Sequence, residues 1–243
     1  YELRQLDLQF IKIGSGDTNN IPMMSYMAMQ SAALIVSTGM QTEETIRKVY
    51  DILNDAHVNF ALLHCVSSYP TQLQDTKLNY ISRYQKLFPN IPIGYSGHEI
   101  GIECSLLAIL MGERILERHF TLDKNQKGSD HCVSLNPNEL RSLVEKVRLI
   151  ERNVQQLPVM LDDLLDVVTE LNLFEHPQGF IVKACDINDI SKSILPCELM
   201  CKHKLGKSLV YTRDMKAGQG LLESDIGVKV SEPNGVSAEF YDD

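Results

Sequence analysis

The sequence predicts an α/β fold: the last five strand–helix units of an eight-stranded (β/α)8 barrel, followed by a small β-rich module. Three observations carry that expectation. Five apolar, β-branched segments recur, FIKIGS from Phe10, LIVSTG from Leu34, ALLHCV from Ala61, IPIGYS from Ile91 and ILERHF from Ile115, and their starts lie 24, 27, 30 and 24 residues apart. That period accommodates a strand, a helix and two loops. The segments are nearly continuously apolar, as strands of a parallel sheet covered on both faces must be. Polar residues follow every one of them, as expected where five strands feed one site. A barrel gathers all its strand ends around one mouth, whereas an open doubly wound sheet concentrates its ligand at one switch point. The barrel is the expectation, with its first three strands preceding Tyr1.

Between the strands, TEETIRKVYDIL, LNYISRYQKLF and IECSLLAILMG carry apolar residues at helical spacing. Thr42, with Glu43 and Glu44 after it, resembles a helix start with acid in its first turn. NPNELRSLVEKVRLIERNVQQ reads as a closing helix opened by Asn136 and Pro137. Residues 1–152 thus form the barrel part. Residues 153–193 form an atypical linker with one amphipathic helix, Leu161, Leu164, Leu165, Val168 and Leu171 sharing a face and His176, Pro177 and Gly179 ending it. From residue 194 to 243 the texture changes to short strands, over residues 207–211 and 227–230, with KAGQG as a turn. A start on Tyr1 without a methionine reads as a fragment, and the β-rich module reads as cut short at Asp243.

Of 243 residues, 44% are hydrophobic and 23% charged, which is globular material rather than a disordered chain. With 23 basic and 32 acidic residues the net charge is −9, so neither nucleic acid nor an anionic membrane surface is an expected partner. No apolar run approaches the roughly 20 residues of a membrane span, no signal peptide is visible, and a cytoplasmic location is expected. The six cysteines, at 65, 104, 132, 185, 197 and 201, are scattered in mostly apolar settings and read as reduced thiols. Cys197, Cys201 and His203 are grouped, but a zinc site there lacks a fourth ligand.

Chemistry concentrates between Ile91 and Asp130. Two strands end in histidines, His98 and His119, and neutral imidazoles on one rim can ligate a divalent metal. Ser96, Gly97, Asp123 and Asp130 around them suit an anionic, oxygen-rich substrate. Lys12 sits inside an apolar strand, where a structural lysine is costly. His64 lies within its strand as either a core or a site residue. Cys65 reads as a small buried thiol, and Asp162, Asp163 and Asp166 as a solvated face.

FIKIGSGDTNN, LIVSTGMQ, LHCVSSYP, YQKLFPNIPIGYSGHE, ILERHFTLDKNQKGSDH and LPCELMCKHKLGKS together resemble the sialic acid synthase family in its animal type. The resemblance implies a TIM barrel followed by a small antifreeze-like (SAF) domain, in a domain-swapped homodimer where that domain caps the partner's barrel. It implies condensation of phosphoenolpyruvate with N-acetylmannosamine 6-phosphate, or with N-acetylmannosamine, and release of phosphate. A divalent cation, Mn2+ or Mg2+, held by His98 and His119 would polarise the sugar aldehyde, and imidazole ligands favour manganese. Lys12 and Ser15 would bind phosphoenolpyruvate and Ser96 would add an oxygen contact. Ser67 stands where bacterial members commonly carry asparagine. Tyr69 and Asp130 would contact the amino sugar.

The family's first three strands carry a glutamate, a lysine, a glutamine and a threonine or serine that complete the site, so this chain alone is expected to be inactive. Its open barrel edges are expected to promote aggregation. The 153–193 segment is longer than the family's usual linker, and the arginine that bacterial caps offer the sugar has no match. Two alternatives accompany the enzyme: an inactive paralogue or isoform acting as an assembly or regulatory partner, and a synthase for another nonulosonic acid.

Overall fold

In the computed structural model, which describes residues 8–30, 32–185 and 192–242, five strands lie side by side in chain order. They are β1 (Phe10–Ile13), β2 (Ala33–Ser37), β3 (Phe60–Cys65), β4 (Ile93–Gly97) and β5 (Leu116–Arg118), each parallel to the next. Strictly sequential order has no switch point, which separates this sheet from a doubly wound one and matches an arc of a barrel. β1 and β5 are its two edges among the described residues. The register sets Cys65 beside Ser96 and Ser96 beside Glu117, a polar row across three strands.

Helices α2 (Glu43–Asp55), α3 (Asn79–Leu87) and α4 (Glu103–Leu110) connect the strands where apolar spacing places them. Thr42 accepts a hydrogen bond from the amide of Thr45 at the start of α2. α5 (Pro137–Asn153) opens on a capping box, the Asn136 side chain accepting from the Glu139 amide and Glu139 from the Asn136 amide. A further helix, α1 (Ile21–Ala28), follows β1 and was not singled out by its sequence; Asn20 caps it and Pro22 sits in its first turn. The helices cover one side of the sheet with Ile46, Val49, Leu53, Ile81, Leu106 and Leu107, all buried in one core with Leu34, Val36, Leu62 and Ile93.

The linker differs from its sequence reading. It carries α6 (Leu164–Glu170) and then a second helix, α7 (Pro177–Ala184), which Pro177 opens rather than ends. Proline suits a first helical position, because its φ is already helical and its missing N–H would have had no partner. Leu164 and Val168 are buried as expected, but Leu161 is 39% exposed and leaves the apolar stripe. Beyond it, α8 (Leu199–Leu205) precedes β6 (Ser208–Tyr211) and β7 (Ile226–Lys229), an antiparallel pair close to the expected ranges; α8 itself was not anticipated.

All six cysteines are free, Cys132 exposed and Cys65, Cys104 and Cys185 buried. Among the described residues no three His, Cys, Asp or Glu side chains are grouped to hold a metal ion, Cys197, Cys201 and His203 included. Among them, too, no helix is long and apolar enough to cross a membrane.

Candidate functional site

The carboxyl ends of the strands surround a cavity of about 530 Å³. Of the eight candidate residues, Lys12, Ser15, Ser67, Tyr69, Ser96, His98 and His119 line it. Asp130 stands outside the lining, its Oδ2 3.7 Å from His119 Nδ1. This convergence follows from topology, since each of these seven residues lies at the end of a strand or in the loop after it.

Glu117 is a central cavity residue that sequence reasoning missed. Its Oε2 accepts hydrogen bonds from Ser96 Oγ at 2.6 Å and Ser37 Oγ at 3.4 Å, and lies 3.4 Å from Lys12 Nζ. One carboxylate therefore joins residues of β1, β2 and β4 to β5. The signal was a charge inside an apolar segment two positions before His119, a spacing that puts both side chains on one face of the strand. Lys12 Nζ also donates to its neighbouring carbonyl at Ile13, 3.0 Å away.

Ser15 Oγ accepts from the Gly39 amide at 3.0 Å and donates to Cys65 Sγ at 3.5 Å. Gly39 cannot carry a side chain in this arrangement, because a Cβ would fall 2.2 Å from Ser67 Oγ and 2.8 Å from Ser15 Oγ. The serines thus meet over bare backbone. Cys65 lies in the wall they share; burial pushes its thiol up, but His98, Ser15 and Lys192 nearby bring it below the ordinary cysteine value.

The two imidazoles stand with ring centroids 5.2 Å apart, and the Tyr69 ring lies 4.2 Å from His98 and 5.9 Å from His119. His98 Nδ1 is 2.8 Å from the Val66 carbonyl, an acceptor only, so Nδ1 carries the proton and Nε2 keeps its lone pair. Burial lowers the His98 pKa, but Cys65, the Val66 carbonyl and Glu99 outweigh it and leave the value raised. For His119, burial and the nearby His98 prevail over Asp130 and Glu117, and its pKa is lowered. Burial, reinforced by Cys65, Cys201, Asp130 and Glu117, raises the Tyr69 phenol far above its usual value, so it remains a neutral donor.

This donor set fits two ligands of a divalent cation. His98 Nδ1 bonds a protein carbonyl, the arrangement that orients a ligating histidine and frees its other nitrogen, and His119 Nδ1 lies 3.7 Å from the Asp130 carboxylate. Two nitrogens are less than a full coordination shell, and no third ligand joins them among the described residues. His64, in contrast, belongs to the core. It is fully buried between Tyr80, Tyr84 and Tyr95, with Nε2 2.7 Å from the Thr76 carbonyl.

Residues 1–157 match the NeuB family. The N-acetylneuraminate-9-phosphate synthase of Drosophila melanogaster is 44% identical over 240 residues, which are 98% of this chain and 62% of that protein. The Homo sapiens protein of the same name is 42% identical over 237 residues, 98% of this chain and 57% of that one. The chain thus spans less than two thirds of the length of these curated relatives. Among solved structures, the spore coat polysaccharide biosynthesis protein SpsE of Bacillus subtilis superposes with a TM-score of 0.77 at 25% identity, over 99% of this chain and 63% of that one. The sialic acid synthetase of Leptospira borgpetersenii serovar Hardjo-bovis, in complex with citrate, gives 0.60 at 32% identity over 69% of this chain and 59% of that one.

Proposed function

The chain belongs to the NeuB family, and from that premise we propose that its cavity is the phosphoenolpyruvate and metal site of an N-acetylneuraminate-9-phosphate synthase. In this reading the enol carbon of phosphoenolpyruvate joins the aldehyde carbon of N-acetylmannosamine 6-phosphate, water adds to the adjacent carbon, and phosphate departs with the C–O bond. The observation that carries it is the pairing, in one cavity, of two adjacent imidazoles with the Lys12–Glu117 cluster.

Lys12 and Ser15 hold the phosphate or carboxylate of phosphoenolpyruvate by charge and by hydrogen bond. Glu117 orients Lys12 and Ser96 against it. His98 and His119 hold the divalent cation, manganese rather than magnesium on ligand softness, and such an ion supplies Lewis-acid polarisation of the sugar carbonyl. Tyr69, kept neutral, donates to the sugar, and Asp130 accepts from its hydroxyls. We assign residues 194–243 to an antifreeze-like region whose first part, 194–207, lies on the chain's own strand-end loops and whose remainder caps a partner's barrel in a homodimer, and we place the protein in the cytoplasm. Light scattering of the intact protein and cell fractionation check these two assignments.

The decisive experiment measures, on the intact protein that includes the first three barrel strands, phosphate release from phosphoenolpyruvate with Mn2+ and a panel of N-acetylmannosamine, its 6-phosphate and other nonulosonate precursors. Release with the 6-phosphate, lost in His98→Ala and His119→Ala, supports the reading. Release with another precursor alone replaces it by a related synthase, and phosphoenolpyruvate binding without release under any condition favours a non-catalytic partner.

A further inference from the structure

The stretch from residue 192 to 207 lies outside the residues that match the NeuB family, yet it forms part of the cavity. Leu205, the last residue of α8, lines it and sits over the loop after β1, where its Cβ would be 3.0 Å from a Cβ on Gly16. Three charged side chains hold this strap to three successive strand-end loops. Lys207 Nζ reaches the Gly16 carbonyl and Asp17 Oδ1, both at 2.9 Å, after β1. Lys192, 3% exposed, donates to the Cys65 carbonyl at 3.2 Å, at the end of β3.

Glu198 spans two loops at once. It is wholly buried, and its Oε1 accepts from the amide of Met40 at 2.7 Å and from the amide of Ser67 at 2.9 Å. Its Oε2 accepts from the Leu195 amide at 3.0 Å, which caps the strap's own turn. Capping needs only that second oxygen. The first joins the loop after β2 to the loop after β3, and a charge-assisted bond from a wholly buried carboxylate to two backbone amides is strong and directional. Those loops carry Gly39, whose amide orients Ser15, and Ser67 with Tyr69.

We propose that Glu198 is a positioning residue for the substrate site, fixing the spacing of the loops after β2 and β3 from a strap that completes the cavity. The ligand named in its test rests on the synthase reading; the positioning role does not. The variants Glu198→Ala and Glu198→Gln separate the contributions, because a glutamine oxygen can still accept from Met40 and Ser67 while its NH2 meets the Leu195 amide donor to donor.

Hydrogen exchange on the full chain should show Glu198→Ala raising exchange over residues 38–41 and 65–69 by about tenfold or more. Calorimetry should show phosphoenolpyruvate binding weakened by about the same factor. Glu198→Gln should preserve both and loosen only residues 193–197. Unchanged exchange in those loops in Glu198→Ala overturns the proposal, as does an equal rise across α2, α4 and α5 in both variants, which would mean general destabilisation. If exchange follows the expectation but the unsubstituted protein does not bind phosphoenolpyruvate, the positioning role stands and the synthase reading falls.

Discussion

Arg118 donates from Nη1 to Glu99 Oε1 across 2.7 Å, and the two side chains are only 4% and 5% exposed. Each adjoins a candidate ligand, Glu99 following His98 and Arg118 preceding His119. Arg118 also donates to the Gly101 and Glu99 carbonyls and to Ser105 Oγ, while Glu99 Oε2 accepts from the Tyr95 hydroxyl. The pair therefore clamps the end of β4 to β5 directly behind the histidines.

Removing one member of such a pair strands a buried charge, at a cost of about 3–5 kcal/mol. Arg118→Ala and Glu99→Ala should each lose stability of that order in urea denaturation. The double variant Glu99→Leu/Arg118→Met should recover much of it, since packed apolar groups can replace a buried pair. A double variant as unstable as either single one would count against the clamp.

The opposite shifts of the two imidazoles predict how a bound cation responds to acid. Ligation needs neutral imidazole, so protons compete with the metal. The raised pKa of His98 means that it takes up its proton first, above the ordinary value of 6.5, whereas the lowered pKa of His119 delays its protonation to more acidic solution. Mn2+ affinity, read from the free-ion resonance signal, should start to fall before pH 6.5 is reached from above and steepen below it. His98→Ala should remove the first phase. An affinity that stays flat from about pH 8 to pH 5 would exclude the pair as ligands.

Much of this geometry was legible because it depends on neighbours close in sequence. Thr42 and Asn136 cap helices through residues three positions away, and the cavity residues lie within a few positions of apolar strand ends. Glu117 required knowledge of register, since its place beside Ser96 comes from strand pairing and not from spacing along the chain. Glu198 was less accessible still. Its partner Ser67 is 131 residues away, and nothing local distinguishes it from a glutamate in the first turn of a surface helix. Pro177 misled for the opposite reason, because the same residue ends one helix or begins the next according to where the chain packs.

Buried His64 makes stability depend on pH. Burial, aided by the nearby Lys192 and partly offset by the Thr76 carbonyl, lowers its pKa to about 3. In the unfolded chain it titrates near 6.5, so between those values the unfolded state holds more protons and stability rises with pH. The contribution is complete above about pH 6.5 and is lost as the solution is acidified. Between pH 7 and pH 5 the unfolding free energy should drop by about 2 kcal/mol more in the natural protein than in His64→Phe. Parallel pH profiles for the two proteins would show that His64 is not held neutral in the fold.

Glu117 poses a sharper question, because a carboxylate beside Lys12 opposes the anion that the site is proposed to bind. If Glu117 serves only to scaffold Lys12 and Ser96, removing it should weaken phosphoenolpyruvate binding as Lys12→Met does. If its charge is held there for the reaction, Glu117→Gln should relieve repulsion and leave binding equal or tighter, while turnover falls because a neutral amide oxygen holds Lys12 and Ser96 less firmly than the carboxylate does. The bond of 2.6 Å from Ser96 favours the second outcome, since a short contact to an ionised oxygen fixes the serine more firmly than it would hold a neutral amide. We therefore expect Glu117→Gln to lower kcat by about tenfold to a hundredfold with KM unchanged or reduced, and Lys12→Met to raise KM. Parallel rises in KM for both variants would reduce Glu117 to a scaffold.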